Sequence, residues 1–165
     1  MKRIIMHWTA GGYYPSDFEK KFYHYLFDKN GDLHYGKYKP EDNLDCRDGN
    51  YAKHCGGGNT ASIGVALCAM GGYTSPDNIG YAPMTKLQLE SMLAYCAALC
   101  IRYKINPRYC MTHYEFGMLY PKSSSHGKID ITYLPCYPNV KSSDIGDFLR
   151  GKIKWYMLKF TNSAK

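Results

Sequence analysis

Two histidines, an aspartate and a lysine carry the clearest chemical potential in this chain. His7 ends the apolar run RIIM, His113 follows the β-like run Tyr109 to Thr112, and the segment HGKID sets Lys128 and Asp130 two residues apart. In an extended segment such a pair projects from one face, so both side chains would enter the same cavity. Two imidazoles and a carboxylate are a common donor set for hydrolytic zinc, which keeps one position open for water. Bound zinc lowers the pKa of that water from about 15.7 toward ~7 and polarises a carbonyl. A neighbouring cation stabilises the oxyanion that develops on attack. Spacing does not establish the set, because the ligands are scattered rather than grouped as in H-E-x-x-H. Each residue also has a plain structural role open to it. Strand-end histidines serve as hydrogen-bonded core or surface groups, and Lys128 with Asp130 could be a solvated ion pair worth ~0–1 kcal/mol.

The elements that must position these groups can be read in chain order. Residues 3–8 form a buried strand ending at His7-Trp8, followed by a Gly-rich loop over 9–16 and a helical turn over 17–22. FYHYLFDKNGDLHYG reads as a hairpin, Phe22 to Phe27 and Asp32 to Tyr35, turning at Asn30-Gly31. Tyr23 opens its first strand and could simply pack there, one of 17 tyrosines. After an irregular stretch over 36–59, the apolar run Ser62 to Met70 is a mid-sheet strand buried on both faces. A helix begins at Thr85 with a capping box to Gln88, buries Leu89, Leu93, Cys96, Cys100 and Tyr103, and stops at Asn106-Pro107. Asp144 caps a last helix that turns Ile145, Phe148, Leu149 and Ile153 inward. The loops over 9–16 and 36–59 are expected to border the site.

A length of 165 residues with 45% hydrophobic content suits one domain with its own core. No apolar run approaches the ~18 residues of a spanning helix. The start, MKRIIMHWTA, lacks the apolar stretch of a secretion signal, so the expectation is a chain that is cytoplasmic as synthesised. The net charge of +7 favours anionic partners, but the basic residues are scattered and form no nucleic-acid-binding arm. Seven cysteines without a C-x-x-C pair read as free thiols, several of them core residues. His54-Cys55 could contact a metal, but in a strand the two would point apart. His24, His34 and His126 have no partner at a convincing spacing.

Taken in order, IIMHWTA, FYHYLFDKNGDLHYG, HCGGGNTASIGVAL, THYEFG and HGKID resemble the zinc amidases that include amidase-type phage lysozymes, bacterial muropeptide amidases and peptidoglycan recognition proteins. The resemblance spans residue 3 to about 131, and NTASIGVAL is its most characteristic piece. It implies a single α/β domain with a central mixed sheet flanked by helices. The core would cover about 3–131, with a helical extension over about 142–160. The implied activity is hydrolysis of the amide between N-acetylmuramic acid and L-alanine in peptidoglycan. Carried over by position, His7, His113 and Asp130 would bind Zn2+. Lys128 would stabilise the oxyanion, and Tyr23 would assist the attacking water.

Three departures stand out. The segment between His7 and Tyr23 is short, Ile131-Thr132 replaces a common Pro-Gly, and the tail from Thr132 has no counterpart. The expected protein is a monomeric phage or prophage endolysin that reaches the wall after release. A non-catalytic muropeptide-binding module is the alternative.

Overall fold

The computed structural model describes residues 1–163. Five strands make one sheet: β1 (Arg3–Trp8), β2 (Tyr25–Phe27), β3 (Leu33–Tyr35), β4 (Ser62–Leu67) and β5 (Cys110–Thr112), in the order β3-β2-β4-β1-β5. β1 pairs in parallel with β4 and β5, and β2 with β4, while β3 runs antiparallel to β2. This is the mixed sheet expected from the sequence. β4 lies at its centre with all of SIGVAL buried, which is why that run shows no polar alternation.

The two sheet faces are covered differently. Ile4, Met6 and Trp8 of β1 and Ile63, Val65 and Leu67 of β4 point to one face. There they meet α1 (Lys86–Tyr103) and α3 (Ile145–Ser163) in one core. The alternate residues point to the other face, where Ile5 and Met111 pack with Cys55 and with Phe116 of α2 (His113–Leu119). His7 shares that second face by the two-residue period of a strand. Helices seal one side of the sheet, and loops with a single short helix cover the side that carries the candidate residues.

Several local expectations change. The hairpin is wider than a tight Asn-Gly turn, because Phe27 pairs with Leu33 across the connection Asp28–Asp32. The Asp28 carboxylate accepts the Asn30 and Asp32 N–H groups there, and Gly31 takes a φ of +79°. β2 starts at Tyr25, so Tyr23 precedes the strand rather than opening it. The capping box of α1 forms as expected, and Gln88 also donates to the Phe27 and Cys68 carbonyls, which ties the helix to the ends of β2 and β4. α1 ends earlier than Asn106-Pro107, at Lys104 in the left-handed region. Asp144 does not cap α3 directly but closes a 3-10 turn, Ser142–Asp144, that leads into it. Between His7 and Tyr23 stands only another such turn, Glu19–Lys21.

The seven cysteines are free thiols, five of them buried. Among the described residues no helix is long and apolar enough to cross a membrane.

The long connection over 36–59 is pinned rather than loose. Asn43 is fully buried; its amide donates to the Ala52 and Asn59 carbonyls, and its Oδ1 accepts from Ala52 N–H and from His24 Nε2. Removing that amide leaves buried groups unpaired. Asn43→Ala is therefore expected to lose about 2–4 kcal/mol in urea denaturation; an unchanged midpoint would contradict the role of this side chain.

Candidate metal centre

The convergence of the two histidines is a matter of strand register. Met6 of β1 pairs with Thr112 of β5 in parallel, so the next residue in each chain direction is a histidine, His7 and His113. Thr112 is also the N-cap of α2, with its hydroxyl accepting the Glu115 N–H and the Glu115 carboxylate accepting its own. His113 is thus the first residue of a helix that the sequence reading did not anticipate. Asp130 arrives from the connection after α2. It is held by Ile131, whose side chain is 1% exposed and whose φ is +60°, a costly conformation for a β-branched residue.

The three donors form a nearly equilateral triangle. His7 Nδ1 lies 3.1 Å from His113 Nδ1 and 3.0 Å from Asp130 Oδ2, and His113 Nδ1 lies 3.2 Å from the same oxygen. Ligands about 2.0–2.1 Å from a tetrahedral zinc would stand roughly 3.3 Å apart, close to these edges. The outward nitrogens are already engaged. His113 Nε2 lies 2.9 Å from Ser125 Oγ, whose hydroxyl donates to the Gly56 carbonyl. His7 Nε2 lies 3.1 Å from His54 Nδ1, and His54 Nε2 is left buried without a partner. Assigning the ring hydrogens to these outward contacts leaves two Nδ1 lone pairs facing a carboxylate. Lone pairs and an anion repel one another unless a cation lies between them, so the donor set fits a divalent metal. Among the described residues, His7, His113 and Asp130 are the His/Cys/Asp/Glu group with such spacing.

Burial favours the neutral, ligating form of His7. It lowers the His7 pKa to about 4 against the opposing pull of Asp130, and His113 adds to the lowering. In the metal-free protein a ring hydrogen can turn inward instead. Burial works to raise the Asp130 carboxyl, but hydrogen bonds from His113 and His7 and their charges then outweigh it and hold the group well below the usual carboxylate range.

The triad opens into a cleft of about 520 Å³ whose lining includes Tyr23, Lys53, His54, Ser124, Lys128 and Asp130. Lys128, Ile129 and Asp130 belong to no strand of the sheet, and Lys128 and Asp130 line this one cavity. Lys128 is exposed to it. The Tyr23 ring lies 5.1 Å from that of His7, and its hydroxyl is pushed far up, by burial first and by the Asp130 charge second, so it stays protonated. The loop over 9–16 supplies Thr9 and Ala10 to the lining, and the connection over 36–59 supplies Lys53, His54 and Gly56.

The sequence reading missed His54 and Ser125 as partners of the two histidines, and no local pattern marks either. The start of α2 did carry a signal, the capping-box spacing from Thr112 to Glu115. His24, His34 and His126 have structural partners: Asn43, Asp28 and the Gly117 carbonyl. His54-Cys55 is not part of a strand; His54 turns to His7 and Cys55 to Ser125.

Two histidines at the ends of adjacent parallel strands, joined by one carboxylate beside an open cleft, give this α/β protein a donor cluster that could hold a metal ion. The family model described as N-acetylmuramoyl-L-alanine amidase matches residues 1–130, and the chain belongs to that family. Among solved structures it is similar to the N-acetylmuramoyl-L-alanine amidase LysC from Clostridium intestinale URNW, with 18% identity over 68% of this chain and 69% of that one, at a TM-score of 0.48. Drosophila peptidoglycan recognition protein SD gives the same identity, coverage and score. The amidase AmiD from E. coli, in complex with anhydro-N-acetylmuramic acid-L-Ala-D-gamma-Glu-L-Lys, is 22% identical over 68% of this chain and 48% of that one, at 0.47. No curated protein matches the chain by sequence.

Two outcomes follow from this geometry. Ser125→Ala leaves the His113 Nε2 hydrogen without its acceptor, and zinc affinity measured by chelator competition is expected to fall about 10–100-fold; unchanged affinity would contradict the contact. His7 and His24 both drop from 6.5 to about 4, with burial the leading cause in each. Their unfolded forms take up protons near 6.5 and their folded forms only near 4. Stability of the metal-free protein should therefore be complete above 6.5 and fall as the pH drops toward 4. Urea midpoints that stay flat across this window would contradict the assignment.

Proposed function

We propose that this chain is a zinc-dependent N-acetylmuramoyl-L-alanine amidase that cleaves the amide joining the lactyl group of N-acetylmuramic acid to L-alanine in peptidoglycan. The observation that carries the reading is the donor triangle of His7, His113 and Asp130, with edges of 3.0–3.2 Å, inside a family match that ends at residue 130. These three residues would hold the ion. When bound there, zinc supplies Lewis acidity toward the carbonyl and makes water acidic enough to attack near neutral pH.

The remaining work falls to side chains of the cleft. Lys128 offers an ammonium from the cleft lining, where it stabilises the negative charge that gathers on the amide oxygen as the carbon becomes tetrahedral. Tyr23, kept protonated, offers a hydroxyl to orient the attacking water on the His7 side. His54 and Ser125 hold the imidazoles in the tautomer that leaves both Nδ1 atoms free. The net charge of +7 favours approach to an anionic cell wall.

We read the chain further as a monomeric phage or prophage endolysin acting on the wall after release. Its organisation in this reading is one amidase domain over 1–165, with a core over about 3–131 and a helical extension over about 142–160. The presence of both histidines, the aspartate and the lysine favours catalysis over a module that only binds muropeptide.

Purified peptidoglycan should be solubilised with release of L-alanine amino termini, stopped by a chelator and restored by zinc. Lys128→Ala should keep stoichiometric zinc while losing about 10²–10³ in turnover, because its cation acts on the transition state. Asp130→Ala should lose zinc itself. Wild-type turnover in the lysine variant, or full metal content in the aspartate variant, would overturn these roles. Tight muropeptide binding without cleavage by the zinc-loaded protein would favour the binding module.

A further inference from the structure

The chain beyond residue 130 lies outside the family match, yet a continuous set of polar contacts runs from it to a proposed metal ligand. α3 carries Arg150, whose guanidinium forks onto Glu115 of α2. Its Nη2 donates to Oε1 at 2.9 Å, and its Nη1 donates to Oε2 at 3.1 Å. The same Nη1 donates to the Cys110 carbonyl of the edge strand β5 at 3.1 Å. Glu115 Oε2 in turn accepts the Thr112 N–H at 2.9 Å, the bond that closes the capping box of α2. The next residue is His113. α3 approaches so closely that a Cβ on Gly146 would collide with the Glu115 carboxylate. A glycine at 146 is therefore part of the same contact.

We propose that Arg150 is a positioning residue for the metal centre. By fixing the plane of the Glu115 carboxylate and the start of β5, it sets the first turn of α2 and so aims the His113 imidazole at His7 and Asp130. The inference rests on the metal-centre reading and extends it to a helix outside the family match.

The chemistry of the contact supports a directional role. A forked guanidinium–carboxylate pair fixes orientation as well as distance, which a single-point ammonium does not. Glu115 and Arg150 have side chains 25% and 17% exposed, so water screens the pair only in part. The other partner of Arg150, Asp147, is 89% exposed, and its ion pair contributes little. A separate clamp holds α3 to α1 on the opposite face of the sheet. There Glu90 accepts from the Tyr137 and Tyr156 hydroxyls and pairs with Lys152. That clamp secures the helix without touching α2, and it separates positioning from general stability.

The test compares zinc affinity by chelator competition, the visible spectrum of the cobalt-substituted protein, and urea stability of the metal-free protein. Arg150→Met and Gly146→Ala should each weaken zinc binding about tenfold and shift the cobalt bands. Arg150→Lys should restore only part of the loss. Asp147→Asn should match the wild type, and Glu90→Gln should lose stability with its zinc affinity intact. Wild-type zinc affinity in both Arg150→Met and Gly146→Ala would overturn the inference and leave the metal centre standing. Affinity that falls in step with stability across all variants, Glu90→Gln included, would also overturn it. A wild-type protein that takes up no zinc would overturn the metal-centre reading and this inference together.

Discussion

Parallel pairing of β1 with β5 is the constraint on which the rest depends. Because Met6 stands opposite Thr112, a histidine comes next along each chain, His7 still within β1 and His113 as the first residue of α2, both at the carboxyl end of the paired strands. A register shifted by one residue would send one imidazole to the helical face, since strand side chains alternate. The fold fixes that register with apolar side chains that fit only one way: Ile4, Met6 and Cys110 toward α1 and α3, Ile5 and Met111 toward Phe116. The candidate centre is thus set by the core, and the loops add only the third donor and the cleft walls.

The sheet is asymmetric in a way that matters for chemistry. One face is closed by α1 and α3, which supply most of the buried apolar surface. On the other face, buried histidines replace much of the apolar packing: His7, His24 and His54 sit within 5.5 Å of one another in sequence of contact, His7 to His54 and His54 to His24. Burial drives all three toward the neutral form. Neutral imidazoles are what a metal requires, so the same desolvation that makes this face hard to build prepares it for ligation. Gly64 of β4 supplies the space, since any side chain there would run into the His54 ring.

Much of this was legible in the chain. The two apolar strands, the capped helix from Thr85 and the inward positions of α3 follow from periodicity and end signals, which are local. His7, His113 and Asp130 were legible as types, but their meeting depends on strand order, which no spacing reveals; the ordered resemblance to a family supplied that link. His54 and Ser125 were not legible, because a hydrogen bond to the far side of a ring leaves no pattern in the sequence. The start of α2 was overlooked because the β-like run before His113 masked a Thr112–Glu115 cap. Lys128 and Asp130 line one cavity for a different reason than alternation along a strand, since turns after Ser125 place them there.

Zinc K-edge X-ray absorption on the purified, zinc-loaded protein reads the ligands of the ion itself. One zinc per chain is expected, with two imidazole nitrogens and one carboxylate oxygen at about 2.0–2.1 Å, plus a light solvent atom. A spectrum dominated by sulfur at about 2.3 Å, or one with a single imidazole, would place the metal elsewhere and contradict the triad of His7, His113 and Asp130.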